Sequence, residues 1–258
     1  MITKHIYICE DSIDGIFTGI YDAWASRYGH ENNRIVIDEP MNLTLFSEYF
    51  KVETDHDKAR SVADSIKRKI SDTAYDMICH SALSKDRDKA DSIYRFMILG
   101  YAMGGRVIDY LSHPAVNHVF CMDRNLNFEV MHYRGFLRFS QLKNGVLVSG
   151  IRPANDITEI LAPHFQDRLT DENWLIYDED RKKAAVHQAG YSWIMTDASD
   201  LNKEHFTDYS DQELMMQELW KHFVDTIGIE ARKNDKLRLS MMPNRYREFM
   251  REVPYKAR

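Results

Sequence analysis

Lys143-Asn144-Gly145 lies between two apolar runs, Phe136–Leu142 and Val146–Ile151, and it constrains the fold more than any other short stretch. Asn-Gly at such a junction is the strongest local hairpin signal, because a type I′ turn needs positive φ at both central residues. Phe136–Leu142 and Val146–Ile151 are therefore expected to pair as strands. Downstream, Ile157, Ile160, Leu161 and Phe165 recur at helical spacing, and Asn155-Asp156 stand where they can cap that helix. Trp174–Tyr177 and Ala184–His187 read as strands, with Tyr191–Met195 as a fifth. The order β-β-α-β-β predicts an α+β protein with an antiparallel or mixed β-sheet packed against helices.

The chain opens as β-α-β. Lys4–Cys9 is a strand, and Glu10-Asp11-Ser12 ends it and offers N-caps. Ile13, Ile16, Phe17, Ile20, Tyr21 and Trp24 then share a helix face, and Arg34–Asp38 is a second strand. Gly15 and Gly19 fall inside the helix, so they form no dinucleotide-binding loop, and no P-loop lysine follows. From about residue 57 to 131 the pattern is helical, with stripes at Val62, Ile66 and Ile70, at Ile93, Phe96, Met97, Gly100 and Tyr101, and at Val116, Val119 and Phe120. Past Asp197 the chain is polar until Glu213. Met216, Trp220, Phe223, Val224 and Ile227 then form one apolar stripe. The expected organisation is an α+β core over 1–197 with a helical segment at about 57–131. A basic helical C-terminal segment over 198–258 packs on that core.

The apolar runs are far shorter than the roughly 20 residues that cross a bilayer, so no membrane contact is expected. The first residues reach Glu10 too soon for a signal peptide. Cys9, Cys79 and Cys121 are an odd number without short spacing, which fits reduced thiols and a cytoplasmic location. Net charge is −6, but residues 221–258 hold ten Lys/Arg against five Asp/Glu, leaving 24 against 35 elsewhere. A basic end on an acidic body suits contact with phosphate or an acidic partner, although a solvated helical face would look the same.

Four groups could carry chemistry. His164, Arg168, Tyr177 and Asp178, with Asp167 and Arg181 nearby in sequence, could line a pocket for acid–base work or anion binding. The plainer reading is a buried ion pair and a core histidine that lock helix to sheet. Glu10, Asp11 and Asp14 follow a strand and could hold a metal or act as a base, or simply cap a helix. Arg134 and Arg138 flank Phe136 and Phe139. On a strand, Arg134, Phe136 and Arg138 would share a face suited to single-stranded nucleic acid, or to an ordinary half-buried strand. Arg232, Lys233, Lys236, Arg238, Arg245, Arg247 and Arg251 interleave with Tyr246 and Phe249 as a phosphate-contacting surface. There is no Cys-x-x-Cys, His-Glu-x-x-His or EF-hand loop, so neither a metal nor a cofactor is expected.

The blocks YICEDSIDGIFTGIYDAW (7–24), GFLRF (135–139), HFQDRL (164–169), WLIYDEDR (174–181), Trp220-x-x-Phe223, IEARKNDKL (229–237) and MPNRYREFM (242–250) occur in an order that resembles a bacterial family ascribed to DNA repair or DNA metabolism. The likeness runs from the first strand to about Glu252. It implies a gene neighbour of the radical-SAM class ascribed to DNA repair or modification, and relatives fused ahead of a domain similar to uracil-DNA glycosylases. It brings no catalytic residue with it. This chain lacks the cysteine triplet of a radical-SAM cluster and a Gly-x-Asp-Pro-Tyr-type glycosylase loop, so it is expected to be neither enzyme. The expected role is a DNA-binding accessory protein that delivers DNA, single-stranded or duplex, to the radical-SAM partner. The alternatives are an enzyme acting on DNA or a nucleotide through His164, Arg168, Tyr177 and Asp178, or a scaffold for protein contacts alone.

Overall fold

In the computed structural model, residues 3–39, 45–201, 206–232, 234–243, 246, 247 and 250 are described. The class is α+β, with a parallel three-stranded sheet and a mixed five-stranded sheet. Packing divides the chain into two compact units, Met1–Asn127 and Phe128–Arg258.

In unit 1, β1 (Lys4–Ile8) lies between β2 (Asn33–Val36) and β3 (Ser47–Lys51), parallel to both. α1 (Ile13–Ala25) makes the crossover from β1 to β2. Its start is set by Ser12, whose Oγ accepts from the Gly15 amide at 3.0 Å, and by Gly15 itself. A Cβ on residue 15 would stand 2.5 Å from the Glu10 carbonyl oxygen, so only glycine lets the strand turn so tightly into the helix. Ile16, Phe17 and Ile20 then sink into a core shared with α2 (His56–Lys69), α3 (Asp72–Ala82), α4 (Lys89–Met103) and α5 (Pro114–Phe136). Gly100 lets α4 approach closely: a Cβ there would lie 2.6 Å from Ile70 Cδ1.

Unit 2 holds β4 (Ser140–Gln141), β5 (Leu147–Ile151), β6 (Trp174–Asp178), β7 (Lys183–His187) and β8 (Ile194–Asp197), in that spatial order. Only β5 and β6 run parallel, joined through α6 (Thr158–Arg168). α7 (Asp211–Ile227) and α8 (Asp235–Met241) follow the sheet.

Four expectations are corrected. The hairpin forms, but as a three-residue loop in which Gly145 alone has positive φ, at 84°. This is the looser alternative to a type I′ turn. Phe136–Leu142 is not one strand: α5 runs to Phe136 and only Ser140–Gln141 pairs. The cause is aromatic packing at helical spacing, since His132, Tyr133 and Phe136 surround Tyr246 at centroid distances of 5.1, 5.0 and 5.8 Å. Neither Asn155 nor Asp156 caps α6, whose N-cap position is Ile157 without a side-chain bond; Asn155 donates to Glu129 and Asp156 accepts from Lys183. Finally, β3 was not anticipated at all.

Candidate nucleic-acid interface

The last turns of α5 and α6 each carry an arginine, Arg134 and Arg168. Both side chains are exposed, and neither makes a hydrogen bond or ion pair among the described residues. Their charges act on one group, the half-buried imidazole of His164, which sits edge-on to Phe165 at 5.0 Å. Burial lowers the His164 pKa from its ordinary 6.5, and the positive fields of Arg134 and Arg168 lower it further against a weaker opposing pull from Asp167. Burial first, and the two arginine charges second, thus disfavour a further positive charge on this ring. His164 is the one histidine of the expected pocket set, and Arg134 the first residue of the expected nucleic-acid set. Thirty residues of chain separate them, and the fold unites them.

The remaining cations distribute differently. Arg138 donates to the carbonyls of Gly135 and Leu137 at 2.9 and 3.1 Å, closing the end of α5 rather than lining a strand face. Phe136, meant to stack beside it, is packed on His132 and Tyr246 instead. Arg232, Lys236 and Arg238 are exposed. Arg247 is 4% exposed and donates to the Met242 and Arg238 carbonyls at 3.0 and 3.2 Å. Its guanidinium therefore holds the end of α8 and does not face solvent. Lys233, Arg245 and Arg251 lie outside the described residues.

Tyr177 and Asp178 do not join His164 in a cleft. As neighbours on β6 they point to opposite faces of the sheet. Tyr177 packs with Leu175, Ala184 and Phe206; its hydroxyl donates to the Leu201 carbonyl at 3.0 Å and accepts from Lys182 Nζ at 3.2 Å. Asp178 is fully buried and accepts from Arg181 Nη1 at 3.0 Å and from the Asp180 and Arg181 amides. Arg181 in turn donates to the carbonyls of Pro153 and Ala154. The Asp178–Arg181 pair ties the β6–β7 turn to the segment between β5 and α6. Glu129, which the sequence did not single out, works on the same segment: its carboxylate accepts from the Ala154 and Asn155 amides at 2.9 Å and from Asn155 Nδ2 at 2.7 Å.

The acidic residues after β1 also have partners. Glu10 accepts from Thr54 at 2.6 Å, Asp14 pairs with His56 at 2.6 Å, and Asp11 meets the buried Lys89 at 2.5 Å. Among the described residues no three His, Cys, Asp or Glu side chains gather as a metal site. The three cysteines are free, and burial pushes the Cys9 thiol up to about 12.

α7 presents a row of exposed apolar side chains. Its Ser210 cap accepts from the Glu213 amide at 3.1 Å, yet none of its residues is buried. Met216, Trp220, Phe223 and Ile227 are each roughly half exposed, with the Trp220 and Phe223 rings stacked at 5.6 Å. The stripe is half exposed, with Met216 and Trp220 lining a groove beside Arg138, Phe139 and Ser140. Contiguous exposed apolar surface of this kind marks a contact site.

The class is α+β, and in unit 2 Arg134 and Arg168, without ion pairs among the described residues, both act on the His164 ring. Residues 87–252, more than half of the chain, match the family of a domain of unknown function, DUF4130, and the chain belongs to that family. No curated protein matches it in sequence. Among the described residues no helix is long and apolar enough to cross a membrane.

Proposed function

We propose that this protein is an accessory factor of DNA repair or DNA metabolism that holds DNA on the surface around His164 and works with a radical-SAM partner. The observation that carries the DNA reading is the convergence of Arg134 and Arg168 on one imidazole, with neither guanidinium engaged by a carboxylate among the described residues. Phosphates are the natural counter-charge for two such forks. The exposed Arg232 and Lys236 add positive charge in the same unit. The partner reading is supported by the uncovered apolar face of α7 and by the likeness of the sequence blocks to a family encoded beside radical-SAM proteins.

Anisotropy of labelled single-stranded and duplex oligonucleotides is expected to show binding that weakens steeply between about 50 and 200 mM salt. Arg134→Glu with Arg168→Glu should weaken it on the order of 10- to 100-fold at low salt and flatten the salt dependence by about two phosphate contacts. Affinity that stays level with salt, or survives the double substitution, removes the DNA role. Trp220→Asp should release the radical-SAM partner from an affinity column while leaving DNA binding in place. Retention of that partner by a chain that binds no DNA would assign a scaffold instead.

His164 adds a pH dependence of known sign. Its folded pKa lies below the ordinary 6.5, so the unfolded chain holds the proton more tightly. Stability from this group is complete above pH 6.5 and is lost as pH falls through that value and then through the folded pKa. A bound polyanion cancels the fields of Arg134 and Arg168 and raises the pKa, so binding takes up a proton. DNA affinity is expected to increase as pH drops through 6.5, and His164→Gln should remove that increase.

A further inference from the structure

Unit 1 contains a cleft of about 500 Å³ between α1, α2 and α4 that the DNA surface of unit 2 does not use. Its floor is core: Ile20, Val62 and Met97 are buried there. Its walls are aromatic. Tyr21 and Trp24 are more than a third exposed, and the Trp24 and Tyr101 rings meet edge to face at 5.1 Å and 76°, with His30 packed on Trp24 at 4.3 Å. The polar groups are few and converge. Tyr101 donates to Ser65 Oγ at 2.9 Å, which leaves the serine its own proton to give. Lys69 Nζ stands 5.6 Å from the Tyr101 centroid, exposed and without an ion pair among the described residues. No carboxylate lines the cleft.

We propose that this cleft binds a nucleotide unit, with the base against Trp24 and Tyr101 and the phosphate on Lys69. The volume lies within the usual range for small-ligand sites, about 300–1,000 Å³. Fixed aromatic faces favour a flat ring over an aliphatic chain, because stacking adds to area burial. One unpaired ammonium with no acid beside it favours an anion on that ring. Ser65 offers a donor to a ring nitrogen or carbonyl at the base edge. The site is independent of Arg134 and Arg168, so it stands or falls apart from the role given to them. The shared chemistry has two sources, a free mononucleotide or a nucleotide within a DNA strand.

Calorimetric titration of the full chain with dAMP, deoxyadenosine, inorganic phosphate and a 5′-phosphorylated oligo-dA separates these. dAMP is expected to bind, with deoxyadenosine weaker on the order of 10-fold and phosphate alone weaker still. Trp24→Ala should lose on the order of 10-fold of the dAMP affinity, and Lys69→Met should erase the preference for dAMP over deoxyadenosine. Arg134→Glu with Arg168→Glu should leave dAMP binding intact. Oligo-dA that binds where dAMP does not, and that depends on Trp24 and Lys69 in the double-arginine variant, assigns the site to a strand nucleotide. The proposal is overturned if neither dAMP nor oligo-dA responds to Trp24→Ala or Lys69→Met in chains whose circular dichroism matches the parent. Trp24→Phe, which keeps a stacking face, should restore most of the binding lost in Trp24→Ala; if it restores none while folding normally, the aromatic corner is not the base platform.

Discussion

Asp178→Ala is expected to destabilise unit 2 by about 3–5 kcal/mol, because it removes a buried carboxylate from the donors gathered on it and leaves the partly exposed Arg181 without its counter-charge. The carboxylate is wholly out of solvent and accepts from Arg181 Nη1, from two backbone amides and weakly from Thr158 at 3.5 Å. All of those donors stay behind when it is cut to a methyl. Arg181 loses the charge that holds it while its other bonds, to the Pro153 and Ala154 carbonyls, anchor it in place. Asp178→Asn keeps the shape and one acceptor oxygen, and should cost less, about 1–3 kcal/mol. Urea unfolding followed by the fluorescence of Trp174, fully buried four residues earlier on the same strand, reads both. An alanine variant as stable as its parent would show that the carboxylate is not a clamp and would reopen an active-site role for it.

The contrast between Asp178 and His164 shows what a sequence discloses and what it hides. Local rules carried the opening β-α-β, because Ser12 and Gly15 act on neighbours three to five residues away. They carried the hairpin at Gly145, where a positive φ selects the residue. They misread Phe136–Leu142, where an aromatic run suits strand or helix and the choice fell to packing against Tyr246, more than a hundred residues on. β3 escaped notice because SEYFK is an edge strand with one half-buried face and no apolar alternation. That Tyr177 and Asp178 point to opposite faces of their strand is legible from alternation alone; what each face packs against is not. Arg134 and His164, placed in different groups on sequence grounds, are linked only through the electrostatic effect of the α5 arginine on the α6 imidazole. Charge convergence of that kind is long-range and leaves no local pattern. The stripe on α7 was legible as a stripe, but periodicity cannot say whether a core or a partner covers it.

Glu129→Ala is the second large loss expected, about 3–5 kcal/mol, and it bears on the same surface. Glu129 is 1% exposed on α5. Its two oxygens accept separately from the Ala154 and Asn155 amides, and Oε2 also accepts from Asn155 Nδ2. Three donors in the segment before α6 thus depend on one side chain, and each buried donor left without an acceptor costs about 1–3 kcal/mol before relaxation. The dependence is sharper because α6 has no side-chain cap of its own: its N-cap position is Ile157, and Asn155, two residues earlier, is turned toward Glu129. Asn155→Ala removes a single donor and should cost less. Because the two side chains share a bond, the double variant should fall short of the sum by about 1 kcal/mol or more in a thermodynamic cycle. Strict additivity would mean that α5 and the segment before α6 are held by something else. α5 carries Arg134 and α6 carries His164 and Arg168, so the Glu129 anchor also sets the spacing of the cationic cluster. Glu129→Ala should therefore weaken DNA binding at a temperature where the chain is still folded, and it should raise the His164 pKa part of the way toward 6.5 as Arg134 on α5 drifts from the ring, while burial and Arg168 on α6 continue to lower it.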